Sequence, residues 1–314
     1  MTQEPVENID YIKMNKNKIV FFLTMIFISL NGSAAAASFQ YSFAAGRAEM
    51  ADERSVIGFF QYHTVGYKET LLDVARNYEL GYNEIALYYP DIDPWVPTAG
   101  TRLTIPSRWI LPPTRYEEVV INIPEMRLYL FMNKIGMVKT YPLGLGREGF
   151  ETPVGTHRVV TQQINPTWMP PPSAWEEYGK TPVPPGPDNP LGDYWVGLSA
   201  KHIGIHGTNN PWGVGRLVSR GCIRMYPEHI SRFYEEVSIG ARVEVIYEPV
   251  KVGIENGLIY LEVHPDIYER IPDLFHHAES LIKQKGLWEY VQQDEVIRCV
   301  EEKTGVPFPV GSVL

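Results

Sequence analysis

The 314-residue chain has little cysteine: only Cys222 and Cys299. So few cysteines exclude a disulfide-dense secreted scaffold and the paired CxxC ligands of structural zinc modules. No HExxH sequence occurs either, which excludes the metalloprotease helix built on that spacing. We therefore predict no metal site, although His202, His206 and Cys222 are admissible zinc ligands.

Positive charge is also scarce, because 28 Lys and Arg stand against 37 Asp and Glu, for a net charge of −9. Nucleic acids and anionic membrane surfaces bind basic stripes, so neither is predicted as a partner. Long apolar runs are lacking as well. The most apolar stretch, Ile19–Leu30, is shorter than the roughly 20 residues that a spanning helix needs.

That stretch has the organisation of an export signal. Lys16 and Lys18 precede it, and the small residues NGSAAAAS follow it, as in a basic start, an apolar core and a cleavage site. Residues 1–37 are therefore predicted to be a signal peptide region, with Met14 as the true start and no stable membrane span after its removal. A retained N-terminal anchor is the alternative.

The residues most able to carry chemistry are concentrated in His202–Met225, HIGIHGTNNPWGVGRLVSRGCIRM. The alternation in HIGIHGT predicts a half-buried strand from His202 onward that presents His206 to a cleft. The Asn, Pro and Gly residues that follow predict a reversal of the chain, which brings Cys222 back beside His206.

A lone thiol, with a pKa of about 8.5, is mostly protonated at neutral pH unless a base or a positive charge stabilises the thiolate. Here His206 supplies a base, and three arginines supply charge: Arg216, Arg220 and Arg224. The sequence therefore predicts a nucleophilic Cys222. A disulfide between Cys222 and Cys299 is the alternative that an oxidising compartment allows.

Two neighbours of the cysteine extend this interpretation. Gly221 leaves the sulfur unshielded and permits backbone angles that direct amide groups at a developing oxyanion. Ser219 adds a hydroxyl that can donate to the same oxygen or to a substrate. Both residues are therefore candidates for the catalytic set.

The run IHGTNNPWGVGRLVSRGCIRM resembles the signature of the L,D-transpeptidase catalytic domain (YkuD type), in which a His-Gly pair precedes a Ser-x-Gly-Cys motif across a glycine-rich loop. ETPVGTHRV, INPTWMPP and PPGPDNPLG add to the resemblance. It implies Cys222 as the acyl-forming nucleophile and His206 as its base, with the Gly207 carbonyl orienting the imidazole. Amides around Gly221 and Cys222 would form the oxyanion hole. Many relatives carry histidine where Arg220 stands, but a branch carries arginine.

The resemblance also implies an activity and its partners. The enzyme would act in the periplasm on peptidoglycan stem peptides through a cysteine thioester, without metal or cofactor. The acceptor would be another stem peptide, a free D-amino acid or a lipoprotein lysine. Arg220 or Arg224 would hold a substrate carboxylate, and Thr208 and Trp168 would also contact substrate. The alternatives are an L,D-carboxypeptidase or cysteine peptidase, and a non-catalytic peptidoglycan-binding scaffold.

Residues 60–106 read as a strand, a helix capped by Thr70, a helix capped by Asn83, and a strand. With GYNEI and DPWVPTAGTRLTIP they resemble a LysM module, which implies binding to N-acetylglucosamine-containing glycan. The usual Gly-Asp-Thr is replaced by Lys-Glu-Thr, and a packing domain without glycan binding is the alternative. As a separate module it should be removable, with turnover of a small soluble substrate kept within a few-fold.

The rest of the chain predicts a mostly β fold with short helices (α+β). In the catalytic domain, residues 116–250, the closely spaced strands VVINI, RLYLF and MVKTYPLGLG indicate an antiparallel sheet or barrel, which ARVEVIYEPV closes. The irregular segment 170–192 is predicted to face substrate. Residues 251–314 add the strand LIYLEV and two amphipathic helices as a C-terminal extension.

Overall fold

The computed structural model describes residues 40–43 and 55–314, so the predicted signal region lies outside the described part. Within that part no helix is both long and apolar enough to cross a bilayer. The strands, in chain order, are β1 Gln40–Ser42, β2 Val56–Gly58, β3 Gln61–Thr64, β4 Arg102–Ile105, β5 Arg108–Ile110, β6 Val119–Asn122, β7 Arg127–Met132, β8 Met137–Pro142, β9 Leu145–Gly146, β10 Gly155–Ile164, β11 Tyr194–Leu198, β12 Gly204–His206, β13 Leu217–Ser219, β14 Ile223–Arg224, β15 Arg242–Ile246, β16 Val250–Glu255, β17 Leu258–Val263 and β18 Phe308–Ser312.

Short helices connect these strands. In chain order they are α1 Leu71–Asn77, α2 Tyr82–Tyr88, α3 Trp175–Tyr178, α4 Pro227–Glu236, α5 Leu274–Gln284 and α6 Gln293–Glu302, with 3₁₀ turns at Pro172–Ala174, Pro211–Gly213 and Trp288–Tyr290. The mostly β fold with short helices is therefore confirmed.

A nine-stranded sheet forms the centre, in the order β1-β8-β7-β6-β15-β10-β11-β12-β14. Most of its pairs are antiparallel, but β15 runs parallel to β6 and β12 runs parallel to β14. The prediction that ARVEVIYEPV closes the sheet is wrong, because β15 lies in the middle. The physical reason is that β6 is buried along its whole length and needs a neighbour on each side.

One face of this sheet carries the catalytic-domain core, in which Val119, Ile121 and Leu128 pack with Ile230 and Phe233 of α4. The other face packs against the N-terminal part of the chain in a second continuous core. This second core joins Val120, Tyr129, Phe131 and Val138 of the sheet to Leu71, Val74, Leu80 and Ile85 around α1 and α2.

The N-terminal part has the predicted order of strand, two helices and strand, with β3 and β4 paired antiparallel. Thr70 caps α1 as predicted: its Oγ1 accepts the Asp73 amide at 3.1 Å. The second cap is not Asn83. The helix starts earlier, because the Glu84 carboxylate accepts the Gly81 amide at 2.7 Å and fixes the start at Tyr82.

A buried ion pair joins this part to the central sheet. Arg127 on β7 is fully buried, and its Nη2 lies 2.6 Å from Glu84 Oε2 on α2. Trp109 Nε1 donates to the same carboxylate at 2.9 Å, and the Arg127 guanidinium lies 4.2 Å from the Trp109 ring centroid. The N-terminal part and the central sheet are therefore joined by a buried ion pair as well as by apolar contacts.

The C-terminal part is a three-stranded sheet, β16-β17-β18, covered by α5 and α6 around its own core. A second buried ionic cluster lies at its junction with the rest of the chain. There Lys251 is ion-paired with Glu125 and lies 2.8 Å from Glu262, and it donates to the Ile110 carbonyl at 2.5 Å.

Candidate active site

His206 and Cys222 lie at the edge of the central sheet. His206 ends β12, Cys222 immediately precedes β14, and the parallel register pairs Ile205 with Ile223 and His206 with Arg224. The predicted return of the chain therefore occurs, but it brings the two strands together in parallel. The intervening chain first forms β13, which pairs with β9 and leads into the turn before the cysteine.

The strand at the histidine is shorter than predicted. His202 is not part of it: the residue has a positive φ of 63° in the turn between β11 and β12, and the strand begins at Gly204. The hydrogen bond from the Leu198 amide to the Ile203 carbonyl closes this turn, and so tight a reversal needs a left-handed residue. His202 contributes its backbone to the site, because its carbonyl oxygen lies 3.4 Å from Cys222 Sγ.

His206 is held in one orientation. Its Nδ1 lies 2.6 Å from the Gly207 carbonyl oxygen, and the Trp195 ring stacks on the imidazole with centroids 5.7 Å apart. Only 3% of His206 is exposed, and burial, aided by the charge of Arg224, lowers its pKa to about 3. The imidazole is therefore neutral at pH 7. Since Nδ1–H donates to Gly207, the lone pair is on Nε2.

Cys222 is a half-buried free thiol. Burial raises its pKa, and the opposing effects of the Gly204 backbone and of Arg224 are smaller. Of the three arginines predicted to stabilise the thiolate, Arg224 does so, although burial outweighs its effect. The other two have other partners: the Arg216 guanidinium lies 3.9 Å from the Tyr82 ring centroid, and Arg220 Nη2 lies 2.8 Å from Glu177 Oε2.

The turn that carries the cysteine is held by hydrogen bonds. Gly221 has a φ of +101°, which only glycine adopts readily. Its amide donates to Ser219 Oγ at 3.1 Å, and Ser219 Oγ donates to the Cys222 carbonyl at 2.5 Å. Thr152 Oγ1 donates to the Gly221 carbonyl at 3.1 Å. The Ser219 hydroxyl is thus engaged inside the turn and holds the backbone on both sides of Gly221.

The residues predicted to contact substrate lie in different environments. Thr208 is buried, and its hydroxyl is bonded to the Asn210 backbone, so it shapes the loop. Trp168 lies in the segment before β11, with its ring edge-on to Tyr178 at 5.1 Å. Arg224 has a buried Nε without a hydrogen-bond partner in the described chain, and burial lowers its pKa. Of the three predicted arginines, Arg224 is the one whose charge lowers the pKa of the Cys222 thiol, against the larger effect of burial.

Sequence reasoning missed three contributors to this site. Trp195 covers His206, Thr152 supports the Gly221 turn, and Glu177 of α3 pairs with Arg220. Gly204 gives a signal for Trp195, since a glycine inside a strand indicates that a neighbouring group approaches closely, and here the Trp195 ring does so. No local pattern indicates Glu177, because its partner is 43 residues away.

Neither alternative use of the cysteines is found. Cys222 and Cys299 are both free thiols, and Cys299 Sγ points to the Leu261 carbonyl inside the C-terminal core. Among the described residues, the acidic, His and Cys side chains that approach within 4.8 Å of one another as a set of three are Glu125, Glu262 and His264. The zinc set of His202, His206 and Cys222 is therefore not assembled, and Lys251 already pairs with both carboxylates of the other set.

A family model, that of the L,D-transpeptidase catalytic domain (YkuD), matches residues 116–245, a range that contains β6 to β14, His206 and Cys222. The chain belongs to this family. It is 38% identical over 223 residues to the probable L,D-transpeptidase YbiS of Escherichia coli, covering 68% of this chain and 72% of YbiS. It is 36% identical over 231 residues to the probable L,D-transpeptidase YcfS of the same organism, covering 69% and 72%. A solved structure, L,D-transpeptidase 3 from Mycobacterium tuberculosis, aligns with 20% identity and a TM-score of 0.34 over 48% of this chain and 66% of that one.

Proposed function

We propose that this protein is an exported L,D-transpeptidase of the periplasm that transfers the acyl group of peptidoglycan stem peptides through a thioester on Cys222. The observation that carries the proposal is the neutral, oriented His206 on the strand beside Cys222, within the range that matches the family. Family membership supports acyl transfer on peptidoglycan, and the signal-like residues 1–37 support export.

Acylation begins from a neutral pair. His206 Nε2 takes the thiol proton as Cys222 Sγ attacks the carbonyl between an L-centre and a D-centre of the stem peptide. The Cys222 amide stabilises the oxyanion that forms. The C–N bond then breaks, His206 returns the proton to the departing D-amino acid, and the thioester remains. A resting thiol, kept protonated by burial, suits this sequence because the proton moves only when a carbonyl is in place.

Deacylation repeats the sequence in reverse. The amine of another stem peptide, of a free D-amino acid or of a lipoprotein lysine attacks the thioester, His206 accepts its proton, and Cys222 regains one. With water as acceptor, the same residues would make an L,D-carboxypeptidase. Arg224, with its buried and unsatisfied Nε, is the proposed partner of a substrate carboxylate, with Arg220 beside it.

The test is incubation with a disaccharide-tetrapeptide followed by mass spectrometry of protein and products. The native chain and Cys299→Ala should both gain the mass of the acyl group, whereas Cys222→Ala should gain none. His206→Gln should acylate on the order of a hundredfold more slowly, the usual contribution of a positioned base. Acylation of Cys222→Ala would show that the nucleophile is another residue, and a hydrolysed product without cross-links would favour the carboxypeptidase.

The N-terminal part, residues 60–106, is proposed to bind glycan as a LysM module. Exposed aromatic side chains support this, since Tyr67 is 83% exposed and Trp95 is 54% exposed beside the loops that join strand and helix. Tyr67→Ala and Trp95→Ala should each weaken retention on insoluble peptidoglycan. Unchanged retention of both variants would leave this part as a packing domain.

A further inference from the structure

We propose that Arg216, Tyr82 and Trp95 form a second substrate site, which binds a carboxylate on the part of the stem peptide nearer the glycan. We call these three side chains the junction site. The proposal rests on the proposed function, since it assigns to the same enzyme a contact remote from the reacting bond.

The charge of Arg216 is not balanced by any described carboxylate. Its guanidinium carbon lies 3.9 Å from the Tyr82 ring centroid and 5.9 Å from that of Trp95. Within residues 40–43 and 55–314, Arg216 takes part in no ion pair, and its buried Nε has no hydrogen-bond partner. By contrast, Arg76 pairs bidentately with Glu228. A guanidinium held between aromatic rings without a counter-ion is a ready binding site for a carboxylate.

The junction site is rigid. The Tyr82 amide donates to the Val214 carbonyl at 3.3 Å, and a Cβ on Gly215 would come within 2.2 Å of the Tyr82 nitrogen. Asp93 Oδ1 accepts the amides of Trp95 at 2.8 Å and Val96 at 3.2 Å, which fixes the loop that presents the indole. A carboxylate entering between the rings would therefore meet groups already in place, and little conformational entropy would be lost on binding.

Its distance from the nucleophile suits a stem peptide. Arg216 immediately precedes β13, and the turn that carries Cys222 follows this strand. The Leu145 amide donates to the Arg216 carbonyl at 3.0 Å and the Gly144 amide donates to the Arg224 carbonyl at 2.9 Å, so neighbouring residues of one segment hold the two arginines. An extended tetrapeptide spans at most about 14 Å. A donor with its reacting carbonyl at Cys222 and one carboxylate on Arg224 can therefore place an earlier carboxylate at Arg216.

Trp95 forms the side of the junction site that is exposed to solvent. The indole is 54% exposed, although it lies beside a guanidinium and is held by a fixed loop. An exposed indole next to a cation suits a ligand that carries a carboxylate and a flat or ring-shaped apolar face, which a glycan-linked peptide does. The junction site would thus bind the glycan-proximal end of the donor while Cys222 reacts at its other end.

The test is calorimetric binding of a disaccharide-tetrapeptide to chains that carry Cys222→Ala, so that no turnover occurs. Adding Arg216→Gln should weaken binding about tenfold, the scale of one charge-assisted contact. Arg216→Lys should recover part of this loss, because it keeps the charge without the planar fork. The matched control is Arg298→Gln, which removes a guanidinium 4.3 Å from the Phe308 ring in the C-terminal part and should leave binding unchanged.

A second ligand separates the carboxylate from other contacts: the same muropeptide with all carboxylates but the terminal one amidated. Its affinity should not respond to Arg216→Gln. Equal losses of affinity for both ligands, or no loss for either, would overturn the junction site. Thermal melting of each variant shows whether a loss of affinity is caused by misfolding. If Arg216→Gln does not fold, Arg216→Lys provides the comparison, with a smaller loss expected for the unmodified ligand only. Because binding is measured without chemistry, absence of acyl-enzyme in the native chain would overturn the proposed function and leave this test intact.

Discussion

Burial decides the protonation states of Cys222 and His206. It raises the pKa of the thiol and lowers that of the imidazole, so both groups are neutral at pH 7, although the sequence suggests a thiolate stabilised by arginines. Alkylation of Cys222 by iodoacetamide should therefore follow a pH profile with its midpoint above the ordinary thiol value of about 8.5.

Arg224→Gln should move that midpoint further up, because Arg224 opposes the effect of burial on the thiol. Cys299 is the internal control: burial raises its pKa to about 12, and it should be labelled only after unfolding. A midpoint at or below that of a free thiol would mean that Cys222 and His206 form a preformed ion pair.

Buried histidines should also make stability depend on pH. His229 on α4 is 1% exposed, and burial lowers its pKa to about 3, as for His206. Since an unfolded histidine titrates near 6.5, only the unfolded chain binds these protons between about pH 6.5 and 3. Stability is thus fully present above about pH 6.5 and falls with acidification, by about 1.4 kcal/mol per pH unit for each histidine.

His229→Gln should reduce the dependence of the free energy of unfolding on pH by about 1.4 kcal/mol per pH unit, the contribution of one histidine. The measurement is urea unfolding of the native chain and the variant at several pH values between about 6.5 and 4, the window set by the two pKa values. The difference between the two chains isolates His229 from the carboxylates that titrate in the same range. Parallel curves would mean that His229 is protonated in the folded state, where Glu79 Oε1 lies 3.7 Å from its Nε2.

At the scale of elements, strands β11 and β12 hold the His206 side chain in position. Trp195 and His206 are register partners, and the indole lies across Gly204, where an added Cβ would come within 2.5 Å of the ring. Gly204→Ala should therefore displace Trp195 and, with it, His206. We expect acylation to fall on the order of a hundredfold, as on loss of a positioned base, with a change in tryptophan fluorescence.

The matched control for that variant is Gly66→Ala. A Cβ at Gly66 would make only ordinary contacts, the nearest at 3.4 Å from Glu69 Oε2, and it lies on the N-terminal part. Activity and fluorescence of this variant should stay close to those of the native chain. Normal acylation by Gly204→Ala would show that the stack of Trp195 on His206 does not position the base.

Local patterns predicted the elements well where the reason for an element is local. Thr70 caps α1 as predicted, and three predicted strands are present: Val119–Asn122, Arg127–Met132 and Leu258–Val263. These predictions succeed because helix capping and strand alternation depend on residues that are adjacent in the sequence. The position of β15 could not be predicted, since its register partner Val119 is far away in sequence. The same holds at the site: the motif indicates His206 and Cys222, whereas the orientation of Arg216 depends on Tyr82 of another part of the chain.

At the scale of the whole molecule, the N-terminal part shares a core and a buried ion pair with the central sheet. The Glu84 carboxylate receives Arg127 and Trp109 inside a shared core, so removing residues up to Pro106 would leave the Arg127 guanidinium without its carboxylate and strip one face of the central sheet. Such a chain should therefore lose its cooperative thermal transition and its turnover together, contrary to the expectation from sequence of turnover within a few-fold.

A point variant tests the same coupling without deletion. Glu84→Gln should lower the free energy of unfolding by about 3 kcal/mol or more, the usual cost of breaking a buried ion pair by removing one partner. Glu69→Gln is the control, because its pair with His63 is partly exposed and should contribute at most about 1 kcal/mol. Equal, small effects would mean that the two parts are held by apolar contacts alone.

The central place of β15 has a consequence for biosynthesis. This strand follows Cys222 in the chain, yet it lies between β6 and β10 and joins the first half of the sheet to the half that carries the site. Until Arg242–Ile246 has been synthesised, a nascent chain holds two separate sheet fragments, and pairing over such a sequence distance is slow. The proposed nucleophile would thus be assembled only near the end of translation or later, a delay that would suit the proposed export of this chain before it folds.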